Sequence, residues 1–243
     1  GLTKLVSTAN TVDYNAGGNA TAQTLTQLSY GLADASGTAD SLTINVTNKD
    51  GNGNLIAVND GAQMAATVSA SGVESVTVST DTLGANASGT NATTANGGFK
   101  LSLSAKDLQS LTLKGDTLVD AQTATMTDIN TIDATEAAGG VILDVAAAED
   151  GNSTPNQSVT IETGAGADYV QNVLGKVATT VDTGAGNDFI TAQGTAFFKK
   201  VSIDAGAGDD SIDISAQTSA GGPTEITTGA GVDTIKVNDG DDS

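Results

Sequence analysis

Apolar and polar residues alternate along this chain in short runs, and the runs return at intervals. Leu42-Thr-Ile-Asn-Val46 alternates with period two and predicts a strand with one buried face. Val73-Glu-Ser-Val76-Thr-Val78, Leu108-Gln-Ser-Leu111-Thr-Leu113 and Ile129-Asn-Thr-Ile132-Asp-Ala134 share one spacing of three apolar positions. Each follows a polar turn: Ala70-Ser-Gly72, Ala105-Lys-Asp107 and Met126-Thr-Asp128. These read as solenoid coils that bury, by stacking, an apolar face no single coil can bury alone. Generic antiparallel strands are the alternative.

Toward the C-terminus the repeat sharpens. Val159-Thr-Ile-Glu-Thr-Gly-Ala-Gly-Ala-Asp168, Thr179-Thr-Val-Asp-Thr-Gly-Ala-Gly-Asn-Asp188, Val201-Ser-Ile-Asp-Ala-Gly-Ala-Gly-Asp-Asp210 and Thr224-Glu-Ile-Thr-Thr-Gly-Ala-Gly-Val-Asp233 are four copies of one motif. Their first glycines, Gly164, Gly184, Gly206 and Gly229, are separated by 20, 22 and 23 residues. Such a period predicts stacked units. The branched residues Ile161, Val181, Ile203 and Ile226 before each turn, and Val170, Ile190, Ile212 and Ile235 after it, predict short strands facing a core.

The turns carry the candidate chemistry. Two glycines let the backbone adopt conformations a side chain forbids, aiming carbonyls into one concavity, to which the following aspartate adds a carboxylate. An all-oxygen donor set suits a hard cation such as calcium. The expected ligands are the carboxylates of Asp168, Asp188, Asp210 and Asp233. Carbonyls would come from Thr163, Gly164, Ala165 and Gly166; Thr183, Gly184, Ala185 and Gly186; Ala205, Gly206, Ala207 and Gly208; and Thr228, Gly229, Ala230 and Gly231. Asp182 and Asp204 read either as rim ligands or as solvent-facing polar positions. The four turns define three gaps, each expected to hold one ion.

The motif resembles the RTX nonapeptide Gly-Gly-x-Gly-x-Asp-x-U-x, where U is a large apolar residue. Thr228 to Lys236 fills that frame apart from its first position, and the next frame places Gly240 and Asp242 at its glycine and aspartate. RTX rolls carry calcium turns every nine residues on both edges, whereas here one edge alone carries the motif, so one calcium row, not two, is expected until the final residues. Gly72-Val-Glu-Ser-Val-Thr-Val78 followed by the Gly-Ala-Gly coils also resembles the surface-layer (S-layer) proteins of Gram-negative bacteria. That resemblance implies type I secretion, a cell-surface location and a calcium-dependent, self-assembling homo-oligomeric lattice. Contacts with surface polysaccharide would fall to parts of the protein outside this chain. A calcium-folded stalk or binding module of an adhesin or exoenzyme is the alternative.

Composition agrees with a thin solenoid. The 243 residues hold 29 acidic and 9 basic residues, a net charge of −20, with no cysteine, histidine or tryptophan. Nothing basic enough to neutralise phosphates is present, which excludes nucleic acid as a partner. No apolar stretch reaches the length of a membrane span. Catalysis is not expected, because a serine nucleophile would have no histidine base. Of the paired carboxylates, Asp209-Asp210 is the obvious candidate, and the repeat already assigns Asp210 to the turn.

The expected architecture is all-β, a right-handed parallel β-helix or β-roll with calcium-binding turns in its C-terminal third. Residues 1–40 read as an irregular cap or edge strand, 41–155 as coils without the motif, and 156–243 as RTX-like coils continuous with them, all within a fragment of a longer chain. Asp50, Asn52 and Asn54 are spaced like the start of an EF-hand loop. However, Leu55 and Gly61 stand where that loop needs Gly and Glu. A β-hairpin joining 42–47 to 54–59 is the expectation there.

Overall fold

The computed structural model describes residues 9–15, 28–31, 37, 39–47, 64–82, 98–122, 124–146, 158–173, 176–192, 199–216 and 222–237. Their strands form two sheets of nine, and each coil of the chain gives one strand to each. The first sheet contains β1 (Ala9–Asn15), β3 (Ser41–Thr47), β5 (Ser75–Thr82), β7 (Ser110–Lys114), β9 (Thr131–Glu136), β11 (Ser158–Glu162), β13 (Ala178–Asp182), β15 (Val201–Asp204) and β17 (Thr224–Thr227), in that order. The second contains β2 (Leu28–Gly31), β4 (Met64–Ser71), β6 (Phe99–Ser104), β8 (Val119–Asp120), β10 (Val141–Asp144), β12 (Tyr169–Val173), β14 (Phe189–Ala192), β16 (Ser211–Asp213) and β18 (Thr234–Lys236). Every pairing between these strands is parallel. The molecule is a parallel β-solenoid, and the antiparallel alternative is set aside.

Register follows from the apolar pattern. Leu42, Val76, Leu111, Ile132, Ile161, Val181, Ile203 and Ile226 pair in succession along the first sheet. Leu143, Val170, Ile190, Ile212 and Ile235 do the same along the second. Side chains alternate faces along a strand, so a one-residue slip would turn a whole ladder into water. Most ladder members are fully buried between the sheets, each contributing roughly 1.5–3 kcal/mol by leaving water. Val73, Leu108 and Ile129 are buried at the corners where the chain enters β5, β7 and β9.

The faint and the sharp repeats are thus one repeat, and β9 pairs directly with β11 across their junction. Within residues 1–40, β1 and β2 are the edge strands of the two sheets. The hairpin expectation needs correction. β3 has β1 along one edge and β5 along the other, both parallel, which leaves no edge for an antiparallel arm. The other arm, 54–59, and the EF-hand-like residues lie outside the described residues.

Candidate metal centre

The four Gly-Ala-Gly turns connect β11 to β12, β13 to β14, β15 to β16 and β17 to β18, stacked on one edge of the solenoid. They pair with one another almost as strands do. Ala185 N–H donates to the Gly164 carbonyl (2.8 Å), Ala207 to Gly184 (2.9 Å) and Ala230 to Gly206 (2.8 Å). Gly186 and Gly208 donate in the other direction, to Ala207 and Ala230 (2.8 Å each).

This close stacking explains the glycines. Gly206 and Gly208 have φ of +82° and +142°, and a Cβ on them would lie 1.9 and 1.6 Å from the carbonyl oxygens of Gly184 and Gly186. In the first copy the requirement is proximity alone, since a Cβ on Gly166 would sit 2.2 Å from Gly140 N. The carbonyls therefore run between coils, those of Gly164, Gly184 and Gly206 toward the next turn and those of Ala207 and Ala230 toward the preceding one, and each already accepts one N–H. A carbonyl keeps a second lone pair, so these atoms retain capacity for a cation.

The aspartates form a buried row. Asp168, Asp188 and Asp210 are at most 2 % exposed. Each reaches back one coil. Asp188 Oδ1 accepts the Asp168 amide (2.9 Å), Asp210 Oδ1 the Asp188 amide (2.9 Å), and Asp233 Oδ1 the Asp210 amide (3.1 Å). Asp168 Oδ1 accepts from Val141 (2.7 Å), extending the row into a coil without the motif. In the two middle copies the residue before the aspartate works in the opposite direction: Asn187 Oδ1 accepts from Asp209 N–H and Asp209 Oδ1 from Val232 N–H, both at 2.9 Å. Together these caps satisfy amides that tight turns leave without backbone partners.

The second carboxylate oxygens differ along the row. Asp168 Oδ2 accepts from the Thr163 hydroxyl at 2.5 Å. The Thr163 and Thr183 hydroxyls both reach the next coil's carbonyl, Thr183 O at 3.0 Å and Ala205 O at 3.2 Å, and Ala205 has no hydroxyl to give. Asp188 Oδ2 and Asp210 Oδ2 are left buried without a partner. Burial, reinforced by the charge of the next aspartate, pushes Asp168 and Asp188 up to about 7 and raises Asp210. An all-oxygen edge with orphaned buried anionic atoms fits a hard cation. Among the described residues no point gathers three or more acidic, histidine or cysteine side chains. An ion between turns would therefore complete its shell from carbonyls.

Asp182 and Asp204 are exposed. Their Oδ1 atoms accept the amides of Gly184 and Gly206 at 3.2 Å, so they brace the entry to the turn from outside. They continue an outward column that begins with Asp133 and Glu162. Asp233 is half-buried in the last described coil, and Asp242 lies outside the described residues.

Four contributors escaped the sequence reading: the Thr163 hydroxyl, the Asn187 and Asp209 caps, and Val141. The available signals were Asn and Asp at the fourth place of two copies, and Gly139-Gly140 directly before Val-Ile-Leu-Asp144.

No protein-family model, curated protein or solved structure matches the chain. Among the described residues, no helix is long and apolar enough to cross a membrane.

Proposed function

We propose that this chain is a calcium-stiffened structural segment of a secreted, cell-surface protein of the RTX kind that assembles into a surface layer. Asp168, Asp188, Asp210 and Asp233 would hold the calcium, with carbonyls of 163–166, 183–186, 205–208 and 228–231 as further ligands. The ion supplies positive charge where the carboxylates converge, and no reaction is assigned to the site.

The observation that carries this reading is the pair of buried, unpartnered oxygens Asp188 Oδ2 and Asp210 Oδ2. A buried anionic oxygen without a counter-charge is strongly unfavourable, and a bound cation relieves it. The chain's own caps keep the carboxylates in place: each Oδ1 is fixed by an amide while Oδ2 stays free. Support for the lattice comes from the motif's resemblance and from the stack of parallel coils, which offers neighbours a repeating face.

Electron microscopy of the chain with calcium tests the reading. Ordered sheets are expected, dissolved by chelator and indifferent to reductant. A protein carrying Asp188→Ala and Asp210→Ala should form none. If that variant loses calcium and still forms normal sheets, the row is not the basis of assembly.

A calcium-folded stalk or binding module of an adhesin or exoenzyme is the second reading. It is favoured by the polar outer column of the first sheet, where Thr43, Thr77 and Thr112 lead into Asp133, Glu162, Asp182 and Asp204. In that case the calcium-loaded chain stays monomeric on the same grids.

A further inference from the structure

Among the described residues, three buried side-chain oxygens lack a hydrogen-bond partner. Two belong to the aspartate row. The third is Asp40 Oδ2, on the opposite edge, where the chain passes from the second sheet back to the first.

Asp40 stands just before β3 and Glu74 just before β5. Ser41 pairs with Ser75, so the two acids are neighbours in register. The Asp40 carbonyl accepts the amides of Glu74 (3.1 Å) and Ser75 (3.0 Å), which fixes the two corners against each other. Glu74 Oε2 reaches back to accept the Asp40 amide at 2.8 Å. A carboxylate capping the amide of a preceding-coil aspartate whose own second oxygen is buried and unmatched is the arrangement already seen where Asp210 caps Asp188.

Asp40 is 3 % exposed. Gly37 lies over its carboxylate, where a Cβ would come within 2.6 Å of Oδ2 and 3.2 Å of Oδ1. Among the described residues neither acid is paired with a lysine. Farther along this edge the same position carries Gln109 and Asn130, which are neutral. The negative charge is therefore concentrated at Asp40 and Glu74.

We infer that Asp40 and Glu74 form a second hard-cation site, for calcium or magnesium, on the edge that lacks the Gly-Ala-Gly turns. Two carboxylates supply charge and oxygen donors. The Asp40 carbonyl is fully engaged by two amides, so the remaining ligands include water, as such ions accept. The site stands on these two residues alone and does not depend on the calcium row.

The test is calorimetric titration of calcium, and separately magnesium, into the 243-residue chain and into its Asp40→Asn and Glu74→Gln variants. Each variant should bind one ion fewer than the parent with at least one of the metals. Calcium-dependent amide protection across 178–213 should be unchanged. Glu74→Gln keeps an acceptor for the Asp40 amide, so it decides the question if Asp40→Asn does not fold. An unchanged ion count in Glu74→Gln with both metals overturns the inference. So does an Asp40→Asn variant that gains stability in chelator at an unchanged ion count, which assigns Oδ2 a proton. A chain carrying Asp188→Asn and Asp210→Asn separates the two sites: the ion that depends on Asp40 must still bind to it.

Discussion

Asp188 Oδ1 accepts the amide of Asp168 at 2.9 Å, while Asp188 Oδ2, on the same carboxylate, is buried with no partner. One side chain thus does two separable jobs. The first is neutral and holds one coil to the next. The second is a concentrated negative charge that calls for a proton or a cation.

Substitution separates the jobs. Asp188→Asn keeps an oxygen for the Asp168 amide, and Asp188→Ala does not. In chelator at pH 8, Asp188→Asn should be at least as stable as the parent. Asp188→Ala should lose about 1–3 kcal/mol, because a buried amide is left unpaired. With calcium present, both should lose the stabilisation the parent gains. Urea unfolding followed by circular dichroism under the two conditions reads this, and equal losses for the two variants in chelator would refute the capping role.

Acidity should act in an unusual direction. Asp168 and Asp188 are held near 7 in the folded chain against an ordinary 3.8. The folded state therefore binds protons that the unfolded state has released, and stability falls as pH rises between those values. The penalty is absent below about 3.8 and complete above about 7. In chelator, the coils between Ser158 and Asp213 should grow more protected from hydrogen exchange as pH is lowered from 8 toward 5. Calcium should abolish the trend and release protons on binding, seen as a calorimetric heat that varies with the buffer's ionisation enthalpy.

The turn glycines should be intolerant. Gly208→Ala must accommodate a Cβ where the Gly186 carbonyl oxygen now sits 1.6 Å away, at a φ of +142°. A loss of more than about 3 kcal/mol is expected from strain and clash together. Ala207→Ser, exposed on the same turn, should change stability by less than about 0.5 kcal/mol. Thermal melts of the two variants make the comparison.

Chelation should loosen the coils unevenly. The four aligned aspartates repel one another across neighbouring strands when no cation lies between them. Residues 158–236 should exchange their amides sooner in chelator than residues 41–46 and 98–120. Equal protection of both regions would contradict this.

The ladders were legible because a period of two within strands, and among the C-terminal coils a step of 20–23 residues, is written directly in the order of residues. Leu111 and Ile132 could be aligned by eye, and they are register partners. The hairpin at 42–47 is a misreading with a local cause: an alternating run before a Gly/Asn-rich stretch looks the same whether its edges meet a hairpin arm or two parallel coils. Side-chain capping was hidden for a different reason. Whether Asp188 serves the amide of Asp168, or Asn187 that of Asp209, depends on how coils stack, which no local window contains. The direction of the turn carbonyls was hidden likewise, since their partners lie a whole coil away.

In the first sheet the strands shorten along the solenoid, from eight residues in β5 to four in β15 and β17. The broad coils bury pairs such as Val76 with Val78 and Leu101 with Leu103, whereas the narrow ones, which still bury Val159 with Ile161 and Val201 with Ile203, add a row of carboxylates capping buried amides. Exposing apolar surface raises heat capacity and exposing polar surface lowers it, so the increment per residue on unfolding should decline from the broad end to the narrow one. One rod would then have two temperature responses: the leucine-rich coils weaken on cooling, and the aspartate-rich coils are far less sensitive to cold.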